Sequence, residues 1–145
     1  MKIPTTDDPI GAFRMAAPYR VTTMSLIFAF LLEAAMFICI GVWGWHLGNG
    51  GFFGGVLAAF FVVIAAGVWG LCRAPGDLPR GESRVPVSGP VRLLIEFTVL
   101  GLAVYGIWAA GSRAAGETLL TAGVIHYALT WERIRWLLRS GRGGR

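Results

Sequence analysis

The sequence predicts an all-α fold, an integral membrane four-helix bundle. Long apolar runs, a shortage of charge and the placement of the basic residues point to it. Of 145 residues, 55% are hydrophobic and 14% charged, with a mean hydropathy of +0.64. A soluble domain carries about 25% charged residues, so this chain cannot cover a water-exposed surface. The soluble enzyme classes are excluded on that ground. A pI of about 10 would suggest nucleic acid in a soluble protein. Here the charges sit at the margins of apolar runs, which fits membrane topology rather than a phosphate-binding patch.

The runs divide the chain. Residues 21–47 are interrupted only by Glu33, residues 52–72 carry no Asp, Glu, Lys or Arg, and residues 93–111 are interrupted only by Glu96. Each is long enough to cross about 30 Å of hydrocarbon. A shorter run, 119–131, extends to 138 if Glu132, Arg133 and Arg135 reach for the headgroups. The expected organisation is an N-terminal segment 1–20, spans near 21–47, 52–72, 91–111 and 116–138, and a basic tail 139–145.

Charge then orients the bundle. Lys2, Arg14 and Arg20 precede the first run, and Arg73, Arg80, Arg84 and Arg92 separate the second from the third. Arg133, Arg135, Arg139, Arg142 and Arg145 lie beyond the core of the fourth. Of the 13 basic residues only Arg113 is left for the opposite side. The positive-inside rule places both termini in the cytoplasm and the protein in the inner (plasma) membrane. The first run is too long for a signal-peptide core and is expected to stay as a helix.

The connections agree with this. Glycines between residues 47 and 51 suit a tight outer turn and an antiparallel hairpin. Pro75, Pro79, Pro86 and Pro90 mark an extended, polar inner connection. Ile10, Phe13 and Met15 are expected on the membrane surface, and the basic tail against anionic lipid. Cys39 and Cys72 read as apolar packing residues rather than a disulfide. With no CxxC, HExxH or P-loop, no metal or cofactor is expected.

The two halves resemble each other. At an offset of 63 residues Glu33 falls on Glu96, Trp45 on Trp108 and Gly48 on Gly111; at 62, Gly54 falls on Gly116 and Trp69 on Trp131. Two helical hairpins related by an axis along the membrane normal are expected. Each Glu then lies roughly 22 Å from the outer surface, with His126 near the same level.

An ionisable side chain within a span costs at least ~2.5–3.5 kcal/mol, so it faces the interior and finds a partner. Two carboxyls held close cannot both be ionised cheaply, which suits one as acid and the other, or His126, as base. The candidate catalytic residues are Glu33, Glu96 and His126. Phe37, Trp45, Trp108, Tyr127 and Thr130 are candidate ligand-binding residues. The bland alternative is that each Glu bonds between helices or pairs with Arg20 or Arg92. An aromatic belt accounts for the six tryptophans, and Gly44 with Gly48 makes a close-packing spacing on the face that bears Glu33.

These residues resemble a family, the small four-helix bacterial membrane proteins of the YrdB type. The likeness rests on Glu33, Trp43-Gly44-Trp45, Trp69-Gly70 followed by Pro75, and Pro90-Val91-Arg92 leading to Glu96. It spans roughly residues 21–130. The family has no established molecular activity, so the resemblance implies architecture and shared polar positions at Glu33 and Glu96. The placement of Glu33 is also similar to that of the acidic residue in small multidrug-resistance transporters, which are shorter and lack a counterpart of Glu96.

Two functions follow as expectations. One is an intramembrane acidic site that binds a lipophilic small molecule, with acid/base isomerase, epoxide-opening or cyclase chemistry. The other is a proton-coupled exporter or self-resistance protein, which requires a homo-oligomer. Beside these two stands a structural membrane protein with no chemistry. Lipid and a lipophilic molecule are the expected partners; nucleic acid is not.

Overall fold

The computed structural model describes residues 19, 21–77 and 84–140. The expectations for Ile10, Phe13, Met15 and the charges at Lys2, Arg14, Arg20, Arg80, Arg142 and Arg145 lie outside the described residues.

Helix α1, Thr23–Leu47, begins where Thr22 and Ser25 cap each other. The Ser25 amide donates to Thr22 Oγ1 at 3.1 Å and the Thr22 amide donates to Ser25 Oγ at 3.1 Å. This satisfies two donors that a helix start leaves open. The helix ends at a turn through Asn49, Gly50 and Gly51, with φ of 57°, 72° and 60°. Two glycines supply the left-handed conformation cheaply. Helix α2, Gly51–Leu71, returns antiparallel. A Cβ built on Gly44 would lie 2.7 Å from Ala58 Cα, and one on Gly48 2.5 Å from Gly54 Cα. The glycine spacing therefore sets how closely the two helices approach.

Two short strands follow, β1 (Cys72–Arg73) and β2 (Val85–Pro86), paired in parallel with Cys72 opposite Val85. Proline in the first turn starts α3, Gly89–Ala109. Gly111, with φ of 89°, turns the chain into α4, Arg113–Leu129. Helix α5, Trp131–Ser140, ends the described chain.

Helix α3 is the central one. It packs against α1, α2, α4 and α5, and half of its apolar window is buried, against 17% for α1 and 6% for α2. Leu32, Met36 and Ile40 of α1 meet Val99, Leu100, Ala103 and Val104 of α3 and Leu119 of α4. A second cluster of Ala74, Leu93 and Leu137 seats α5 against the α2–α3 connection. A Cβ on Gly89 would meet the Leu137 carbonyl, so α5 crosses the start of α3 at backbone distance.

Helices α1, α2 and α3, of 25, 21 and 21 residues, are long and apolar enough to cross a membrane. Phe52, Phe53, Phe60, Val63 and Ile64 of α2 lie exposed. A soluble monomer rarely leaves such a face open. The fold is all-α and membrane-like.

It differs from expectation in helix count. The described residues form five helices, because the last segment breaks at Thr130. There the backbone leaves helical geometry, and the Thr130 hydroxyl donates to the His126 carbonyl at 2.8 Å. One consequence falls on Arg133. Rather than extending towards headgroups it turns inward, as described below. On α1 and its C-cap the residues Leu32, Met36, Ile40, Gly44 and Gly48 are buried, and Glu33 is half-buried.

Candidate functional site

A cavity of about 410 Å³ opens among α1, α3, α4 and the α2–α3 connection. Leu26, Ala29, Phe30 and Met36 give it an apolar wall. Glu33, Arg92, Glu96, His126, Tyr127, Thr130 and Arg133 give it a polar one. The volume lies in the range of small-molecule sites.

The polar wall is built around two arginines. Arg92 lies four residues before Glu96 on α3, and its Nε donates to Glu96 Oε1 at 3.0 Å. Its Nη1 donates to the carbonyls of Trp69 and Cys72, at 2.6 and 2.7 Å, which accept at the frayed end of α2. The guanidinium also stacks 4.5 Å from the centre of the Trp69 ring. Arg133 reaches in from α5. Its Nη1 donates to Glu96 Oε2 at 3.0 Å and its Nη2 to Glu96 Oε1 at 2.6 Å. The same guanidinium donates through Nε and Nη2 to Asp77, at 2.9 and 2.6 Å. Tyr19 closes the set, its hydroxyl donating to Asp77 Oδ1 at 2.7 Å.

The side chains of Asp77 and Glu96 are each 3% exposed, those of Arg92 and Arg133 only 7% and 13%. Burial alone would lower the pKa of Arg133. Its hydrogen bonds with Glu96 and Asp77, and their charges, outweigh burial and raise it, so the guanidinium stays charged. The group ties α3, α5 and the connection into one end of the bundle.

Glu33 and Glu96 line the same cavity but are not equivalent. Both oxygens of Glu96 are occupied by guanidinium groups, the pairing with Arg92 being the arrangement weighed as the bland alternative. Glu33 shares the cavity lining with Trp69, Arg92 and Glu96. Among the described residues it makes no ion pair. The chemistry open to the site is therefore concentrated on Glu33: accepting a hydrogen bond, donating or taking a proton, or pairing with a cation.

Of the other residues singled out from the sequence, His126, Tyr127 and Thr130 line the cavity. His126 packs against Phe28 and Tyr127, with ring centres 5.9 and 5.4 Å apart. Phe37, Trp45 and Trp108 do not line it. Phe37 packs against the apolar core. Trp45 covers Gly50 at the α1–α2 turn. The Trp108 indole donates to the Arg113 carbonyl at 3.2 Å, at the α3–α4 turn. Both tryptophans thus serve the turns at the far end.

Sequence reasoning passed over Asp77, Trp69 and Arg133. Trp69 looked like an interfacial tryptophan, and Arg133 like a topology signal. No periodicity pointed to Arg133, which follows the break at Thr130, or to Asp77 in the connection.

Long apolar helices around a partly enclosed, ion-paired cavity define a membrane-type helical protein with a cavity of small-molecule size. The chain belongs to the family described as protein of unknown function DUF2568, whose match covers residues 27–124. It is 30% identical over 122 residues to the uncharacterized protein YrdB of Bacillus subtilis (strain 168), covering 83% of this chain and 98% of that protein. No solved structure matches. The family match includes Glu33, Asp77, Arg92 and Glu96 and ends before His126 and Arg133.

Proposed function

We propose that this protein is a plasma-membrane protein that binds a lipophilic small molecule in the cavity, with Glu33 as its proton-exchanging group. In this reading α1 to α4 span the bilayer and both termini are cytoplasmic, as the arginine distribution favours. Helix α5 then lies at the inner interface. The ligand reaches the cavity from the lipid, past Leu26 and Phe30.

One observation carries the proposal. In a cavity with an apolar wall, Glu33 is the acid that no guanidinium pairs with, among the described residues. Asp77 and Glu96 are committed to Arg92 and Arg133. They serve the site by holding its floor, their oxygens already taken by guanidinium groups. Acid/base chemistry on the ligand, of the isomerase or cyclase type, would use Glu33 as the acid and His126 as a polar neighbour.

The test compares lipid extracts of cells carrying wild-type protein, Glu33→Gln or Glu96→Gln. A lipophilic species that accumulates or disappears with Glu33→Gln supports the reading. Identical extracts, with the proteins present at equal levels, overturn the chemical part of it. Substrate-dependent proton flux into vesicles, lost in Glu33→Gln, would instead make the protein an exporter.

A further inference from the structure

The charges around the cavity identify the chemical class of its ligand. Arg92 and Arg133 are matched by Glu96 and Asp77, two cations against two anions, through hydrogen bonds of 2.6 to 3.0 Å. Arg73 also lines the cavity and is itself engaged. No guanidinium in the ion-paired group is left over for an anionic headgroup. Glu33 is the acid without an ion pair among the described residues. A bound carboxylate or phosphate would face it without a counter-charge, whereas a bound cation would complete it.

The wall next to Glu33 says what the rest of the ligand is. Leu26, Ala29 and Phe30 precede Glu33 by seven, four and three residues and so continue its face of α1. That apolar strip runs for roughly 10 Å at 1.5 Å per residue. It is long enough to cover a hydrocarbon or aromatic body whose polar group rests at Glu33. Trp69 and Tyr127 also line the cavity.

We propose that the cavity takes a lipophilic amine, with its ammonium paired to the Glu33 carboxylate and its apolar body along Leu26, Ala29 and Phe30. This deepens the reading of the cavity as a ligand site and rests on it. The ion-paired group on the facing wall gives the site its selectivity. Its charges balance, so only the single negative group of Glu33 is left to choose the headgroup.

Three probes of one shape test this: a naphthylalkyl amine, the matching alcohol and the matching carboxylate. Binding is measured to the full-length protein in nanodiscs of zwitterionic lipid, by energy transfer from the protein's tryptophans. The amine should bind saturably, at least tenfold tighter than the alcohol, with the carboxylate weakest. Glu33→Gln should bring amine and alcohol within about twofold, and Glu33→Asp should keep most of the preference. The preference should persist at high salt, which screens surface charge but not a pair within the cavity. Ala29→Phe, which fills the apolar strip, should weaken all three.

The outcomes separate the two readings. Equal binding of amine and alcohol by wild type, sensitive to Ala29→Phe, overturns the amine and leaves the cavity standing. A preference for the carboxylate overturns the amine as well. Saturable binding of none of the probes, or binding that Ala29→Phe does not alter, overturns both. If Glu33→Gln fails to fold, the wild-type ranking and Ala29→Phe decide on their own.

Discussion

Replacing Arg133 by Met removes the guanidinium that joins α5 to α3 and to the α2–α3 connection. Asp77 then keeps the Tyr19 hydroxyl and Glu96 keeps Arg92 Nε, while four hydrogen bonds of 2.6 to 3.0 Å are lost. Two carboxylates, each 3% exposed, each lose the Arg133 guanidinium. Breaking a buried pair from one side costs about 3–5 kcal/mol. The adjoining cavity lets water reach the vacated space, so the lower part of that range applies. At about 2–4 °C per kcal/mol for a chain of this size, Tm should fall by about 10 °C. The comparison is Arg113→Ala, whose pair with Glu117 has side chains 88% and 61% exposed. An exposed i,i+4 pair contributes only about 0.3–0.5 kcal/mol, a shift of no more than about 2 °C. Thermal unfolding of the purified proteins in one detergent reads both. Arg133→Lys should recover part of the loss, since an ammonium cannot copy the planar fork. Arg133→Met melting with Arg113→Ala, near wild type, would refute the reasoning.

Glu96→Gln should destabilise by about 3 kcal/mol, because it takes a counter-charge from two buried guanidinium groups. Glu33→Gln should melt within about 1 kcal/mol of wild type, because no pair is broken; equal effects in the same thermal assay would erase the distinction between the two acids. Gly44→Ala should cost about 1–3 kcal/mol, since the new methyl lies 2.7 Å from Ala58 Cα. Gly67→Ala, which meets nothing within 4 Å, should instead stabilise by up to about 1 kcal/mol. Reporter fusions after residues 49 and 114 should read outside, and those after 82 and at the C-terminus inside; a C-terminus read outside would contradict the proposed topology.

The helices were legible because an apolar run of membrane length has few other uses, and the glycines between residues 47 and 51 announced the first hairpin. Arg92 and Glu96 were legible as a pair too, since four residues on one helix bring side chains together. Arg133 was not, because its direction depends on the break at Thr130. Thr and the residues around it carry no strong helix-ending signal, so the periodicity appeared to run on to residue 138. Asp77 was hidden for another reason: a proline-rich connection fixes no side-chain direction until the elements around it have packed. Trp69 misled because a tryptophan at the end of an apolar helix satisfies the membrane interface and a guanidinium equally well. What the sequence could not separate was two acids in similar positions, since their difference lies in partners distant in the chain.

The most direct measurement of the central claim is mass spectrometry of what the purified protein carries from the membrane. Protein extracted in mild detergent, washed and dissolved in organic solvent should release a lipophilic species in near-stoichiometric amount. Ala29→Phe, which fills the cavity, should release little of it, and Arg113→Ala should release as much as wild type. Release of the same species in the same amount from wild type and Ala29→Phe, or of none from wild type, would contradict the account.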